Sequence, residues 1–192
     1  MSKKYLLDTN AYFNYLRAVQ ADKGGNTQFT DTVQKIKNGN PCISVITKVE
    51  IISVLGKYAR GINGGPQQCN CIISADGQRC TNKKYVTPRK RWNNKQIKAW
   101  MKLIKETMDG ESNLISLQIL PFNLDTITEA EKVIEHALIY SFASMDAMIA
   151  ATTKQEIANG HEITVVTSDR GFKACLDKCA IPYWDAFSQD AD

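Results

Sequence analysis

Asp8, Glu50, Asp146 and Asp169 are far apart in the chain, yet each stands where an apolar, strand-like run gives way to a helix-like run. In an open α/β sheet such junctions fall along one edge, so carboxylates distant in sequence can converge there. Clustered carboxylates supply the hard oxygen ligands that Mg²⁺ and Mn²⁺ take, and those cations support phosphodiester chemistry. Taken singly, each acid reads as a helix cap, because helix N-termini favour negative charge. Thr47 and Glu50 have capping-box spacing, with Thr47 as N-cap and Glu50 at N3. Asp146 and Asp169 each follow a potential N-cap serine, and Asp8 can itself cap the first helix. The set reads differently. Asp146 opens the apolar run Ala147 to Ala151, which looks buried on most sides, and a buried acid has to be paired or metal-bound.

The elements that must position these acids follow from the hydrophobic pattern. Residues 4–7 and 42–46 read as buried strands, 114–120 as a short alternating strand, and 162–167 as the strongest strand of the chain. Helical periodicity is expected over residues 11–19, 29–36, 47–58, 95–108, 126–140, 144–158 and 169–179. The apolar face of the third of these is expected to carry Val49, Ile52, Leu55 and Ala59. Residues 180–184 could add a last strand. Strands alternating with helices imply an α/β fold with a mainly parallel central sheet flanked by helices on both faces.

With 192 residues, 43% of them hydrophobic, the chain can bury one substantial core beside a small appendage. No apolar run approaches a membrane span, and the N-terminal run reaches Asp8 too soon for a signal peptide, so a cytoplasmic protein with no membrane partner is expected. Composition shifts between residues 60 and 94, which read as a basic, cysteine-containing insertion with a hairpin tip at Ser74 to Gly77. Within it, Cys69, Cys71 and Cys80 resemble half of a zinc ribbon that lacks a local fourth ligand, so Zn²⁺ stands as an alternative cofactor. From Lys83 to Lys105 there are many cations and no acid. Arg89, Lys90, Arg91 and Trp92 there combine charge with an aromatic ring, which suits contact with RNA or a partner. Residues 186–192 form an acidic tail that is expected to fray from Asp185 onward.

Leu6 to Asn10, Ser44 to Glu50, Ser144 to Ala151 and Thr167 to Phe172 occur in the order and approximate spacing of a PIN domain. The set resembles the VapC-type toxin ribonucleases over residues 1–58 and about 110–185. No single motif is specific; the ordered set is. The resemblance implies a single PIN-like three-layer domain over residues 1–185, interrupted by the insertion at about 60–94. It further implies an Mg²⁺- or Mn²⁺-dependent endoribonuclease in which Asp8, Glu50, Asp146 and Asp169 are the acidic ligands. Thr9, Asn10 and Thr167 would support them, Thr167 by hydrogen bonding. A toxin of this kind acts on RNA, pairs with an antitoxin protein that covers the acidic pocket, and commonly forms a homodimer.

Other readings of the same residues remain open. A PIN domain also suits RNA processing or decay, and a non-catalytic RNA- or protein-binding module would use the basic insertion alone. Phosphotransfer on an aspartate wants a second Asp two residues after the nucleophile, where this chain has Asn10.

Overall fold

The computed structural model describes residues 3–22, 29–68 and 81–187. Five strands form one parallel sheet: β1 (Lys4–Leu7), β2 (Asn40–Ser44), β5 (Gln118–Leu120), β6 (Ile163–Val166) and β7 (Tyr183–Trp184), in the order β5-β2-β1-β6-β7. β1 pairs with β2 on one side, Lys4 opposite Asn40, and with β6 on the other, Lys4 opposite Ile163. The chain leaves β1 toward β2 and later returns on the other side as β6. This reversal makes the carboxyl end of β1 a topological switch point, where open α/β sheets place their sites.

Seven α-helices surround the sheet among the described residues: α1 (Thr9–Asp22), α2 (Thr30–Asn38), α3 (Val45–Ala59), α4 (Asn94–Met108), α5 (Leu124–Ile134), α6 (Ser144–Ala158) and α7 (Arg170–Lys178). The alternation of side chains along a strand divides the core in two. Tyr5 and Leu7 of β1 pack on one face with Ala11, Tyr12 and Leu16 of α1 and Ile51 and Leu55 of α3. Leu6 points the other way, into Ile149 and Ala150 of α6 and Phe172 and Leu176 of α7. Every residue of β6 is buried, which is why that stretch reads as a continuous apolar run. Thr126 of α5 bonds Gln155 of α6, and Glu129 of α5 pairs with Lys154, so α6 is held against its neighbour by polar as well as apolar contacts.

Several element boundaries differ from the sequence reading, each for a local reason. The helix expected from Thr47 starts earlier, because Ser44 is the N-cap and accepts from the Ile46 N–H at 3.3 Å. Its buried face also differs in part from the one expected: Leu55 and Ala59 are buried as expected, together with Ile51 and Val54, whereas Val49 is 68% exposed and Ile52 45%. Regular α-helix stops at Ile134 rather than Tyr140 and tightens into a 3₁₀ turn (Glu135–Leu138), which turns Leu138 outward to 91% exposure. Strand pairing near residue 114 is confined to Gln118–Leu120.

The insertion contains an antiparallel hairpin, β3 (Gly65–Gln68) and β4 (Lys83–Val86). Cys69, Cys71, Cys80 and the expected hairpin tip at Ser74 to Gly77 lie outside the described residues. The root of the insertion is not a loose appendage. Trp92 stacks on Trp100 of α4 with ring centroids 5.6 Å apart, and its N–H bonds the Ala59 carbonyl at 3.0 Å. The expected fraying of the C-terminal tail from Asp185 is also corrected in part. Ala186 and Phe187 are buried, and Phe187 packs edge-on against Phe29, because an aromatic side chain recovers more by burial than by solvation.

Candidate active site

Three adjacent strands deliver Asp8, Glu50 and Asp169 to one end of the sheet, and Asp146 joins them from the start of α6, which follows a 3₁₀ turn rather than the strand-like run expected. Asp8 follows β1 directly, and its N–H donates to the Val166 carbonyl of β6 at 3.1 Å. Glu50 sits on α3, which β2 leads into, while Asp169 follows β6 and Asp146 lies in the first turn of α6. Three of them do serve helix starts. Oδ1 of Asp8 accepts from the Ala11 N–H at 2.5 Å, and Oδ1 of Asp169 accepts from the Phe172 N–H at 2.8 Å. Oδ2 of Asp146 accepts from the Ala143 N–H at 2.9 Å. Glu50 does not, because the helix opens at Ser44 and leaves Thr47 inside it. The capping-box reading of Thr47 is therefore corrected, and the buried Thr47 hydroxyl has no hydrogen-bond partner among the described residues.

The acids also sense one another's charge. Asp8 is only 2% exposed, and burial raises its pKa from 3.8 to about 7, with the charges of Asp146 and Asp169 adding to the rise. Hydrogen bonds from Ala11 and Thr167 oppose it. Burial likewise raises Asp146 to about 6, helped by the charges of Asp169 and Glu50. Like charges at close range disfavour ionisation of both partners. Among the described residues, no lysine or arginine forms an ion pair with any of the four acids.

Residues around the acids hold them in place. Thr167 is fully buried; it hydrogen-bonds Asp8 and accepts from the Asp169 N–H at 3.1 Å, so one side chain ties two of the acids. The Thr9 hydroxyl donates to Oε2 of Glu50, linking α1 to α3. Asn10, by contrast, is exposed. Two further supports are not evident in the sequence pattern. Gly171 lies so close to Ser141 that a Cβ there would come within 1.8 Å of the Ser141 carbonyl oxygen, which seats the start of α7. Asp185 accepts from the Ser168 hydroxyl at 2.7 Å and pairs with Lys173, bracing the same turn from the other side. A glycine after an Asp-Arg pair is the only sequence signal for the first; the second has none.

The basic quartet divides. Nη2 of Arg89 donates to the Lys57 carbonyl at 2.8 Å and its guanidinium lies 4.3 Å from the centre of the Tyr58 ring. Trp92 is engaged by Trp100. Both side chains are therefore used inside the protein, while Lys90 and Arg91 are exposed.

Among the described residues, no group of three or more His, Cys, Asp or Glu side chains is gathered tightly enough to hold a metal ion as it stands. The donor chemistry nevertheless fits a hard divalent cation: four carboxylates, two of them with ionisation suppressed by burial, and among the described residues no lysine or arginine paired with them.

The family model described as "PIN domain" matches residues 5–175. Comparison with curated proteins finds no match. Among solved structures, the chain is similar to FitAcB from Neisseria gonorrhoeae at 18% identity, covering 95% of this chain and 97% of that one, with a TM-score of 0.51. It is also similar to VapBC2 from Rickettsia felis bound to a DNA fragment from their promoter, at 16% identity, 94% and 97% coverage and a TM-score of 0.48. At these identities the first likeness shows a shared fold. Among the described residues no helix is long and apolar enough to cross a membrane. Proteins built on the matched family model are generally nucleases that use divalent metals. A parallel sheet with acids at its carboxyl edge, and a family match spanning most of the sequence, together place this chain in the PIN domain family.

Proposed function

We infer that the protein is a metal-dependent endoribonuclease, with Asp8, Glu50, Asp146 and Asp169 as the ligands of Mg²⁺ or Mn²⁺. The observation that carries this reading is the delivery of four carboxylates from four separate segments to one end of the sheet, with ionisation of the buried Asp8 and Asp146 suppressed and no lysine or arginine ion-paired to any of the four among the described residues. A bound cation supplies an activated water and stabilises the leaving oxygen of the phosphodiester. The chain's own contribution is to hold the ligands. Asp8 is fixed by Ala11 and Thr167, Asp146 by Ala143, and Asp169 by Phe172.

The reading as the toxin of a type II toxin–antitoxin pair rests on the resemblance of the four motif segments to VapC-type toxins. Val49 and Ile52, exposed on the same helix as Glu50 although on another side of it, leave apolar surface on α3 for a partner protein. The same reading carries a homodimer and a cytoplasmic location. The test is incubation of purified protein with a panel of structured RNAs in Mg²⁺ or Mn²⁺, then in EDTA, alongside Asp8→Asn and Asp146→Asn. Cleavage is expected only for the unsubstituted protein with metal. Cleavage that survives chelation and both substitutions contradicts the mechanism.

A further inference from the structure

The root of the insertion encloses a second concavity, of about 860 Å³, between residues 60–64 and 88–91. It is built from the backbone upward. Arg60 ends α3, and Gly61 follows in the left-handed region at φ 69°, with the position of a Cβ only 2.5 Å from the Arg89 carbonyl oxygen. Only glycine permits that approach. Ile62 and Arg89 then exchange both backbone hydrogen bonds, at 2.8 and 2.9 Å, and Gly64 lies directly against Pro88. The two segments are thus clamped to each other before the hairpin begins.

Charge in this cleft has one sign. Among the described residues Arg60, Arg89, Lys90 and Arg91 line it and no acid does. Arg89 is spent on the Lys57 carbonyl and the Tyr58 ring, where it shapes the cleft wall. Arg60, Lys90 and Arg91 are exposed, and none of them forms an ion pair among the described residues. The cleft is also placed with respect to the acids. Glu50 and Arg60 share α3 and its end, ten residues apart, which is about 15 Å along the axis. A few nucleotides of an extended strand span that distance.

We propose that the cleft of Arg60, Lys90 and Arg91 holds backbone phosphate of the RNA strand whose scissile bond lies at the acids. The proposal rests on the reading of the substrate as RNA. A site made of carboxylates repels a polyanion, so attraction has to come from elsewhere on the surface, and this cleft supplies it with fixed geometry. Arg60 and Arg91 can each grip a phosphate with two parallel N–H donors, and Lys90 adds a point charge.

The experiment uses a fluorescein-labelled 20-nucleotide single-stranded RNA of mixed sequence, titrated with the full chain carrying Asp8→Asn to prevent cleavage. Affinity is measured over a series of KCl concentrations, for this background and for the same background with Arg60→Ala, Lys90→Ala and Arg91→Ala. The triple variant is expected to bind at least about 10-fold more weakly, and its salt slope to fall by about 2, near 0.7 for each single-strand phosphate that is no longer neutralised. Lys90→Gln alone, an exposed change that leaves the clamp intact, is expected to lower the slope by about 0.7. Unchanged affinity and slope in variants that retain their unfolding temperature overturn the proposal, and leave the cleft to an acidic protein segment. Metal-dependent cleavage with RNA affinity untouched by the three changes removes this cleft but not the nuclease. Weakened RNA binding in a protein that never cleaves does the reverse.

Discussion

The Thr9 hydroxyl donates to Oε2 of Glu50, so the residue after Asp8 fixes the acid supplied by a different strand. Glu50 has no capping role to hold it, and this bond ties its carboxylate to the residue next to Asp8. Outer hydrogen bonds of this kind commonly change metal affinity or activity by about 10- to 100-fold. Thr9→Val keeps the shape and removes the donor. It is expected to raise the Mn²⁺ concentration needed for half-maximal cleavage by about 10-fold while leaving the unfolding temperature nearly unchanged. An unaltered Mn²⁺ requirement would remove Thr9 from the site.

Gly171 positions Asp169 through its close approach to Ser141. A methyl group there meets a backbone carbonyl, which cannot move aside as a side chain end could. Gly171→Ala is expected to destabilise the protein by about 1–3 kcal/mol and to lower cleavage beyond what lost stability explains. Denaturant unfolding beside single-turnover cleavage separates the two effects. Wild-type stability with wild-type cleavage would show that α7 has room to shift.

Thr47 supplies a contrast, since its buried hydroxyl has no partner among the described residues. An unsatisfied buried polar group costs about 1–3 kcal/mol, so Thr47→Val is expected to be neutral or stabilising by about 1 kcal/mol. Urea denaturation reads this directly. A loss of more than about 1 kcal/mol would mean the hydroxyl does have a partner in solution.

Acidity follows from the burial of Asp8 and Asp146. The folded, metal-free protein keeps a proton on Asp8 up to about pH 7 and on Asp146 up to about pH 6, whereas the unfolded chain releases both near 3.8. Folded-state proton uptake exceeds that of the unfolded state across this window, so stability is full below about pH 4 as far as these groups are concerned and declines as pH rises toward 7. The decline is on the order of a few kcal/mol. Unfolding of EDTA-treated protein between about pH 4.5 and 7.5 should show it, and Asp8→Asn should flatten the slope. Mg²⁺ should restore stability at the upper end, because it binds only the folded, deprotonated site. A slope unchanged by Asp8→Asn would mean that Asp8 titrates normally.

Much of this arrangement was legible in the residues. The apolar runs before Asp8 and Asp169 fix those acids at strand ends, and a parallel sheet then brings the ends together. The capping reading holds for Asp8, Asp146 and Asp169, each of which accepts a backbone N–H at a helix start. Glu50 was harder to place. Ser44 and Thr47 are both good caps by type, and only the end of β2 decides that Ser44 prevails. Arg89 and Trp92 look like surface ligands in a basic stretch. Their use on Tyr58 and Trp100 depends on packing against α3 and α4 that no local pattern encodes. Gly171 and Asp185 act through tertiary neighbours and leave no periodic trace.

If Asp8, Glu50, Asp146 and Asp169 jointly hold a catalytic divalent cation, removing the charge of any one of them has to weaken the cation's binding. Mn²⁺ binding is therefore measured by electron paramagnetic resonance at about pH 7.5, above the raised pKa values of Asp8 and Asp146, on the unsubstituted protein and on Asp8→Asn and Asp146→Asn. Saturable binding by the unsubstituted protein is expected, with a loss of at least about 10-fold in affinity in each variant. Equal Mn²⁺ affinity in all three folded proteins would rule out a shared metal site at these acids.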